Sequence, residues 1–455
     1  MLWVALYFPR LALEALLRGR APSEGTDDPW AVVENRRVLA CNAAAAAAGV
    51  HPGSALAAAW ALAPRLRVLP RNAAAEAAAL EAIAAWACQF TSRISLEPPQ
   101  AVLLEVEGSL RLFEGSGRLM AQLRSGLAGI GFEGLLATGS TARAALWLAR
   151  GGSEALEALP VCAMAPAPEA LALLRSIGIG TLGELMRLPR SAAAARLGQG
   201  LLDDLDRALG RMPEAREFFS PPARFEARLE LPAPVTQAES LLFAARRLLL
   251  QLESFLAARQ AGVRGFTLRL LHRGPPDTAM KIGFAAPRRD AEQGLRLLRE
   301  RLGAHAFSGP VEALGLEAGE LEPLAAVTPG LFGDAGSETE AWERLLERLQ
   351  ARLGDARVHG LAVHPDHRPE RAWRAVKERD AATAPPGPRP LWLLEPPRRL
   401  DEGDFTLLAG PERIESGWWD GEDVVRDYFI ARTRAGSLSW IYRAPEGWFQ
   451  HGLFA

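Results

Sequence analysis

Short apolar runs alternating with alanine-rich stretches over the first third of the chain constrain the fold most. Leu2-Trp3-Val4-Ala5-Leu6-Tyr7-Phe8 reads as a strand, and Ala101-Val102-Leu103-Leu104-Glu105-Val106-Glu107 as a second strand charged at one end. Between them, residues 72–89 read as a long helix because Leu80, Ile83 and Trp86 recur through the alanines at helical spacing; residues 117–127 read as a shorter one. That alternation asks for an α/β domain. Neither strand carries a paired acid at its centre. The first has none before Glu14, and Gln100 and Ala101 open the second with nothing acidic between Glu97 and Glu105.

At 455 residues the chain has room for about three domains, and 49% hydrophobic residues can supply their cores. No apolar run reaches the ~18 residues of a membrane span, and no basic segment followed by an apolar core marks the N-terminus for export. A cytoplasmic protein without a membrane partner is expected. Cys41, Cys88 and Cys162 form no C-x-x-C pair, and Pro365 sits between His364 and His367, so no disulfide, metal site or cofactor is expected. The net charge of −2 hides an asymmetry: residues 1–220 balance, residues 221–310 hold 14 Lys or Arg against 8 Asp or Glu, and residues 311–455 sum to −8. The basic footprint of a nucleic-acid contact is therefore confined to the middle of the chain.

Residues 166–216 read as helical. Pro221 and Pro222 then open a linker into the basic module, which reads helix (237–258), strand (265–273), strand (278–285), helix (290–302). On the first of these strands Phe266, Leu268 and Leu270 point one way, and Thr267, Arg269 and Arg273 the other; across the hairpin Lys281 alternates with Met280 and Ile282. With Arg264, Arg288 and Arg289 at the strand ends, these residues form a candidate DNA-binding set. A sheet with one apolar and one basic face suits phosphate contacts, and a merely solvated face is the other reading. Residues 338–353 read as an amphipathic helix with Trp342, Leu345, Leu349 and Leu353 along one stripe, which fits packing on the chain's own tail as well as a partner helix. After a proline-rich spacer, residues 401–455 read as a β meander of five strands at 405–408, 412–418, 424–433, 437–443 and 448–453. Trp418, Trp419, Tyr428, Phe429 and Trp440 are more aromatics than so small a core needs, which makes them candidates for a protein interface.

The order and spacing of the first strand, Val38-Leu39-Ala40-Cys41-Asn42, Leu66-Arg67-Val68-Leu69-Pro70, Thr91-Ser92-Arg93-Ile94 and the second strand resemble the finger and palm of Y-family translesion DNA polymerases, and the likeness runs over residues 1–325. The resemblance implies an α+β, multi-domain right hand: palm and fingers over 1–165, a helical thumb over 166–218, a basic little finger over 219–325, a clamp-binding linker with the amphipathic helix and proline-rich spacer over 326–400, and a small β domain over 401–455. In that family the first strand supplies a metal-binding aspartate and an Asp-Glu pair opens the second. Those positions are Ala5, Gln100 and Ala101 here. The finger's Asn-Tyr-x-x-Arg element, whose Tyr and Arg contact the triphosphate, becomes Asn42-Ala43-Ala44-Ala45-Ala46, with Ala43 and Ala46 at the two contact positions. Glu105 lies on the same strand face as Ala101 but about 13 Å along, too far to serve two metals roughly 4 Å apart. Ile177-Gly178-Ile179-Gly180-Thr181-Leu182-Gly183 is similar to the family thumb, whose glycine hairpin is replaced by Ala165-Pro166-Ala167-Pro168; proline donates no amide hydrogen to a phosphate.

Arg368-Pro369-Glu370-Arg371-Ala372-Trp373, Gly417-Trp418-Trp419-Asp420, Arg426-Asp427-Tyr428-Phe429 and Trp448-Phe449-Gln450-His451-Gly452 look like the C-terminal region of the ImuB family, Y-family-like proteins of damage-induced mutagenesis that lack the catalytic acids. What this resemblance implies is a polymerase-like pseudoenzyme that binds primer-template DNA without sequence preference and brings the sliding clamp together with an error-prone C-family DNA polymerase and a RecA-like, ImuA-type protein. Recruitment to damaged DNA at the nucleoid is implied as well. In the linker, Thr328-Pro329-Gly330-Leu331-Phe332 resembles a clamp-docking peptide, with Leu331 and Phe332 as apolar anchors and Thr328 where a glutamine is usual. A nucleotidyltransferase with relocated metal ligands and a protein-only scaffold are the alternatives.

Overall fold

The computed structural model describes residues 1–21, 28–274, 276–305, 307–324, 335–354, 357–376 and 388–454, with no side-chain description over 335–340. The chain divides into two compact units, Met1–Arg352 and Leu353–Ala455. The expected α+β, multi-domain class is present.

The first unit begins with a four-stranded sheet in the order Ile94–Glu97, Ala101–Glu105, Trp3–Tyr7, Leu135–Gly139, antiparallel throughout. Side chains alternate across its faces. Val4, Leu6, Phe8, Val102 and Leu104 pack on the helices Ala73–Ala87 and Ser116–Ile130. The long helix starts where Asn72 accepts a hydrogen bond from the Ala75 amide at 3.0 Å. Its Trp86 lies so close to Gly126 that a Cβ there would stand 2.4 Å from the indole. Trp3, Ala5, Ala101 and Leu103 face the other way, into a layer built by the helix Ala142–Gly151 with its Trp147 and closed by Leu174, Leu182, Leu185 and Leu205. Those four leucines belong to the thumb helices Pro168–Ser176, Leu182–Met186 and Gln199–Ala208. Beside the palm, Arg37–Cys41, Trp30–Glu34 and Arg67–Pro70 form the small finger sheet, with the short helices Ala43–Ala47 and Leu56–Leu62 in its apolar cluster.

The basic module is a sheet in the order Thr278–Arg288, Ala261–His272, Val311–Ala318, Glu226–Val235, with Leu321–Pro323 added at one end of Ala261–His272. The helices Ala238–Ala257 and Ala291–Gly303 cover one face and share one core with Phe266, Leu268, Leu270, Met280 and Ile282. Three of its strands, Glu226–Val235, Val311–Ala318 and Leu321–Pro323, lie outside the helix-strand-strand-helix expectation. Pro232 and Pro234 interrupt the pattern of Glu226–Val235, which ends the sheet as an edge strand.

The helix Ala335–Leu353 lies the other way round from its hydrophobic pattern. Trp342, Leu345, Leu349 and Leu353 are exposed, and Glu347 on the polar side is 2% exposed, accepting from the Ala285 amide at 2.9 Å and from Gln293. Glu343 holds Arg288 at 3.0 Å. The carboxylates of Glu343 and Glu347 tie this helix to Arg288, Ala285 and Gln293 of the basic module.

The second unit has a paired Gly360–Val363 and Trp373–Val376 and a five-stranded sheet in the order Trp392–Leu400, Gly447–Leu453, Leu438–Ala444, Val424–Thr433, Phe405–Ser416. The two strands expected at 405–408 and 412–418 are one strand with register shifts around Ala409, where Gly410 takes φ +123. Trp392–Leu400, expected in the linker, is an edge strand of this sheet. The aromatic expectation is corrected for two residues. Tyr428 (1% exposed) and Trp440 (2% exposed) stack at 4.0 Å and form the core of this sheet with Ile414 and Tyr442. The Tyr428 hydroxyl meets His451 Nδ1 at 2.7 Å, and burial holds the imidazole down to about 4.

Candidate nucleic-acid interface

The two palm strands pair where the family resemblance would put metal ligands. Ala5 stands opposite Leu103 and Ala137, and Tyr7 opposite Ala101. Both alanines are 0% exposed in the apolar layer with Trp147. Gln100 sits in the turn before Ala101, where its carbonyl accepts from the Phe8 amide at 2.8 Å. The neighbouring acids are engaged elsewhere: Glu105 accepts from the Glu107 amide at 3.1 Å and lies 3.5 Å from Arg93, and Glu97 holds Arg216 at 2.8 Å. Among the described residues no group of three or more His, Cys, Asp or Glu is placed to hold a metal ion. The donor set at Ala5, Gln100 and Ala101 does not fit the two Mg²⁺ ions of phosphoryl transfer, which bind through carboxylate oxygens.

The segment equated with the finger element is a capped helix start. Asn42 Oδ1 caps the helix Ala43–Ala47 by accepting from the Ala45 and Trp30 amides, each at 3.0 Å, while Nδ2 donates to the Asp28 carbonyl at 2.8 Å. Ala43 and Ala46 are exposed with nothing to offer a phosphate.

On the little-finger sheet Arg269, Thr267 and Lys281 share the outer face, Lys281 directly opposite Thr267. The strands at 311–323 place carboxylates among them. Arg269 pairs with Glu317, Arg264 with Glu322 at 2.9 Å, and Arg273 with Glu312 at 3.5 Å. Glu317 holds the Arg269 guanidinium above its ordinary range by hydrogen bond and charge. Arg288 turns inward to Glu343, while Lys281 and Arg289 stand exposed. The face is thus a mosaic of paired charges rather than the uniformly basic surface that residues 221–310 suggest. Exposed pairs of this kind are worth ~0–1 kcal/mol each, so an incoming phosphate displaces them at little cost.

The clamp-peptide residues Thr328, Pro329, Gly330, Leu331 and Phe332 lie outside the described residues. Of the expected interface aromatics, Trp418 (78% exposed) and Trp419 form an edge-to-face pair at 5.6 Å on the surface, and Phe429 is half-buried against Trp448. The turn bearing the tryptophans is clasped by a network that sequence reasoning missed. Arg368 is buried between Asp366 at 2.7 Å and Asp420 at 2.6 Å, Arg371 reaches Asp420 at 2.9 Å, and Arg426 holds Glu370 at 3.0 Å. Arg368 keeps the Asp366 carboxyl down at about 2. The run Arg368-Pro369-Glu370-Arg371 is visible as a motif; its partners Asp420 and Arg426 lie some fifty residues on.

The impB/mucB/samB family model matches residues 13–144. Protein ImuB from two strains of Caulobacter vibrioides is 31% identical over 429 residues, spanning 82% of this chain and 93% of that protein. Among solved structures, a ternary complex of Dbh covers 71% of this chain and 100% of its own at 15% identity and TM-score 0.40. DinB from Sulfolobus solfataricus covers 70% and 98% at 14% identity and TM-score 0.39. No helix among the described residues is long and apolar enough to cross a membrane.

Proposed function

The chain belongs to the ImuB family, and from that premise we propose that it is a non-catalytic, DNA-binding adaptor of damage-induced mutagenic translesion synthesis. The observation that carries this reading is the sealed layer around Ala5 and Ala101. An in-line phosphoryl transfer needs two metal ions held by carboxylates, and the palm strands offer methyl groups at those points. The chemistry then belongs to a partner, an error-prone C-family polymerase that this chain brings to a stalled primer end. Leu331 and Phe332 dock on the sliding clamp in this reading, Trp418 and Trp419 meet the polymerase or a RecA-like ImuA-type protein, and Thr267, Arg269, Arg273, Lys281 and Arg289 track the DNA backbone.

A protein-only scaffold is favoured by one specific observation, the pairing of Arg264, Arg269 and Arg273 with glutamates. Primer extension with Mg²⁺ or Mn²⁺ on undamaged and lesion-bearing templates, with DNA binding followed in the same tubes across a salt series, separates the readings. Salt-dependent binding without extension supports the adaptor. Absence of binding at low salt supports the scaffold, and extension that survives stringent purification overturns both in favour of relocated metal ligands.

A further inference from the structure

The helix Leu11–Leu17 with the turn after it, the loop Gly131–Glu133 and the helix Ala238–Ala257 line an open cavity of about 290 Å³. Arg18 and Arg247 line it, with Arg10, Glu14, Asn42 and Glu133 as its other polar residues. Arg18 is 9% exposed, and its Nε and Nη1 have no hydrogen-bond partner. Its guanidinium face lies 4.9 Å over Phe132, which leaves the in-plane donors unused. Arg247 stacks 4.6 Å over Phe243 and crosses Gly131, where a Cβ would stand 2.3 Å from Nη1. Only a glycine, here at φ +86, lets the guanidinium through.

Burial, reinforced by the charge of Arg247, lowers the Arg18 pKa to about 10; burial alone lowers Arg247 to about 10. The carboxylates of the cavity do not answer them. Glu133 is taken by Arg10, and Glu14, 3.8 Å from Arg10, has both oxygens without a hydrogen-bond partner and is pushed up to about 7 by its own burial. A buried guanidinium with idle donors is costly unless an acceptor is supplied, and planar donors in pairs suit a tetrahedral oxyanion. Phe132 belongs to the core on the face of the palm sheet opposite Ala5 and Ala101.

We propose that Arg18 and Arg247 form an oxyanion site that takes a phosphate group. Both a free phosphate or pyrophosphate and a terminal phosphate on DNA present this chemistry. The site is independent of the sheet-face reading above, because it lies on other residues and needs no DNA.

Thermal unfolding of the full chain in rising sodium phosphate or pyrophosphate, against sodium chloride at equal ionic strength, tests the proposal. The unfolding midpoint of the wild type should rise and saturate. Arg18→Met keeps an unbranched apolar stem and removes the idle cation; without the anion its midpoint should equal or exceed that of the wild type, and its apparent affinity for the anion should fall at least ~tenfold with the loss of charged hydrogen bonds. Arg247→Gln, only part of whose side chain is buried, is the second variant and decides the matter if Arg18→Met does not fold. Binding of primer-templates with a 5′-phosphate or a 5′-hydroxyl separates the sources: an Arg18-dependent increment from the phosphate assigns the site to DNA, and a pyrophosphate response without that increment assigns it to the free anion. No response above the chloride control in either arm, or an equal response in wild type and both variants, overturns the proposal.

Discussion

Putting an acid back at Ala5 should break the palm rather than rebuild a metal site. Ala5 is 0% exposed between Leu103 and Ala137 in a layer with Trp3 and Trp147. Full burial raises a carboxyl pKa by ~3–5 units, so Ala5→Asp would fold with its side chain protonated at pH 7. Holding a proton about three units above the free pKa of ~3.9 costs about 4 kcal/mol, at ~1.4 kcal/mol per unit. An unpaired buried hydroxyl and the extra volume in a packed layer add ~1–3 kcal/mol each. The sum, about 6–10 kcal/mol, is comparable with the ~5–15 kcal/mol stability of a whole protein.

The sign with pH follows from the raised folded-state pKa. The proton-linked part of the penalty is full near pH 7, shrinks by ~1.4 kcal/mol for each unit of acidification and vanishes below ~3.9. Urea unfolding of wild type and Ala5→Asp, followed by tryptophan fluorescence, should therefore show a deficit at pH 7 that narrows by about 3 kcal/mol at pH 5. Trp3 and Trp147 report on the layer itself. A deficit below about 1 kcal/mol at pH 7, the size of an ordinary surface substitution, would refute the reasoning. So would Mg²⁺-dependent recovery or nucleotide incorporation by the triple variant Ala5→Asp, Gln100→Asp, Ala101→Glu.

Glu14, pushed up from 4.5 to about 7 by burial, costs stability as pH rises between those values, so Glu14→Gln should match wild type near pH 4 and exceed it by up to ~3 kcal/mol at pH 8 in denaturant titrations. Paired substitution of Trp418 and Trp419 by alanine should leave the unfolding free energy within ~0.5 kcal/mol, whereas Trp440→Ala should cost ~3–5 kcal/mol; equal losses would mean that the tryptophan turn is core. Charge reversal at Lys281 and Arg289 should lower DNA affinity and reduce the slope of log K against log salt by ~0.9 for each phosphate no longer neutralised, and an unchanged slope would remove those residues from the interface. Leu331→Ala with Phe332→Ala should abolish clamp pull-down by the full chain, and retained binding would place the docking peptide elsewhere.

Features written locally in the sequence were legible, and features made by distant pairing were not. The palm strands carry their burial in a run of five residues, and the residue types at Ala5, Gln100 and Ala101 are read directly from the sequence on and beside those strands. The charge of the little-finger face depends on register: Glu312, Glu317 and Glu322 come after the basic stretch and reach Arg273, Arg269 and Arg264 only once Val311–Ala318 and Leu321–Pro323 pair with Ala261–His272. The apolar stripe of Ala335–Leu353 names a face but not its use, because Ala285 and Gln293 offer donors that Glu347 answers on the other side. Aromatic counting failed at Tyr428 and Trp440 for a similar reason, since only the pairing of Val424–Thr433 with Leu438–Ala444 stacks these rings into a core. Arg18 and Arg247 share a cavity with no motif between them, so only the folded chain brings the two guanidinium groups together. The palm combines both cases. The sequence says that three acids are missing, and the fold adds that Trp147 and Leu103 share the layer with Ala5 and Ala101, so that regaining a metal site requires emptying the layer as well as restoring the carboxylates.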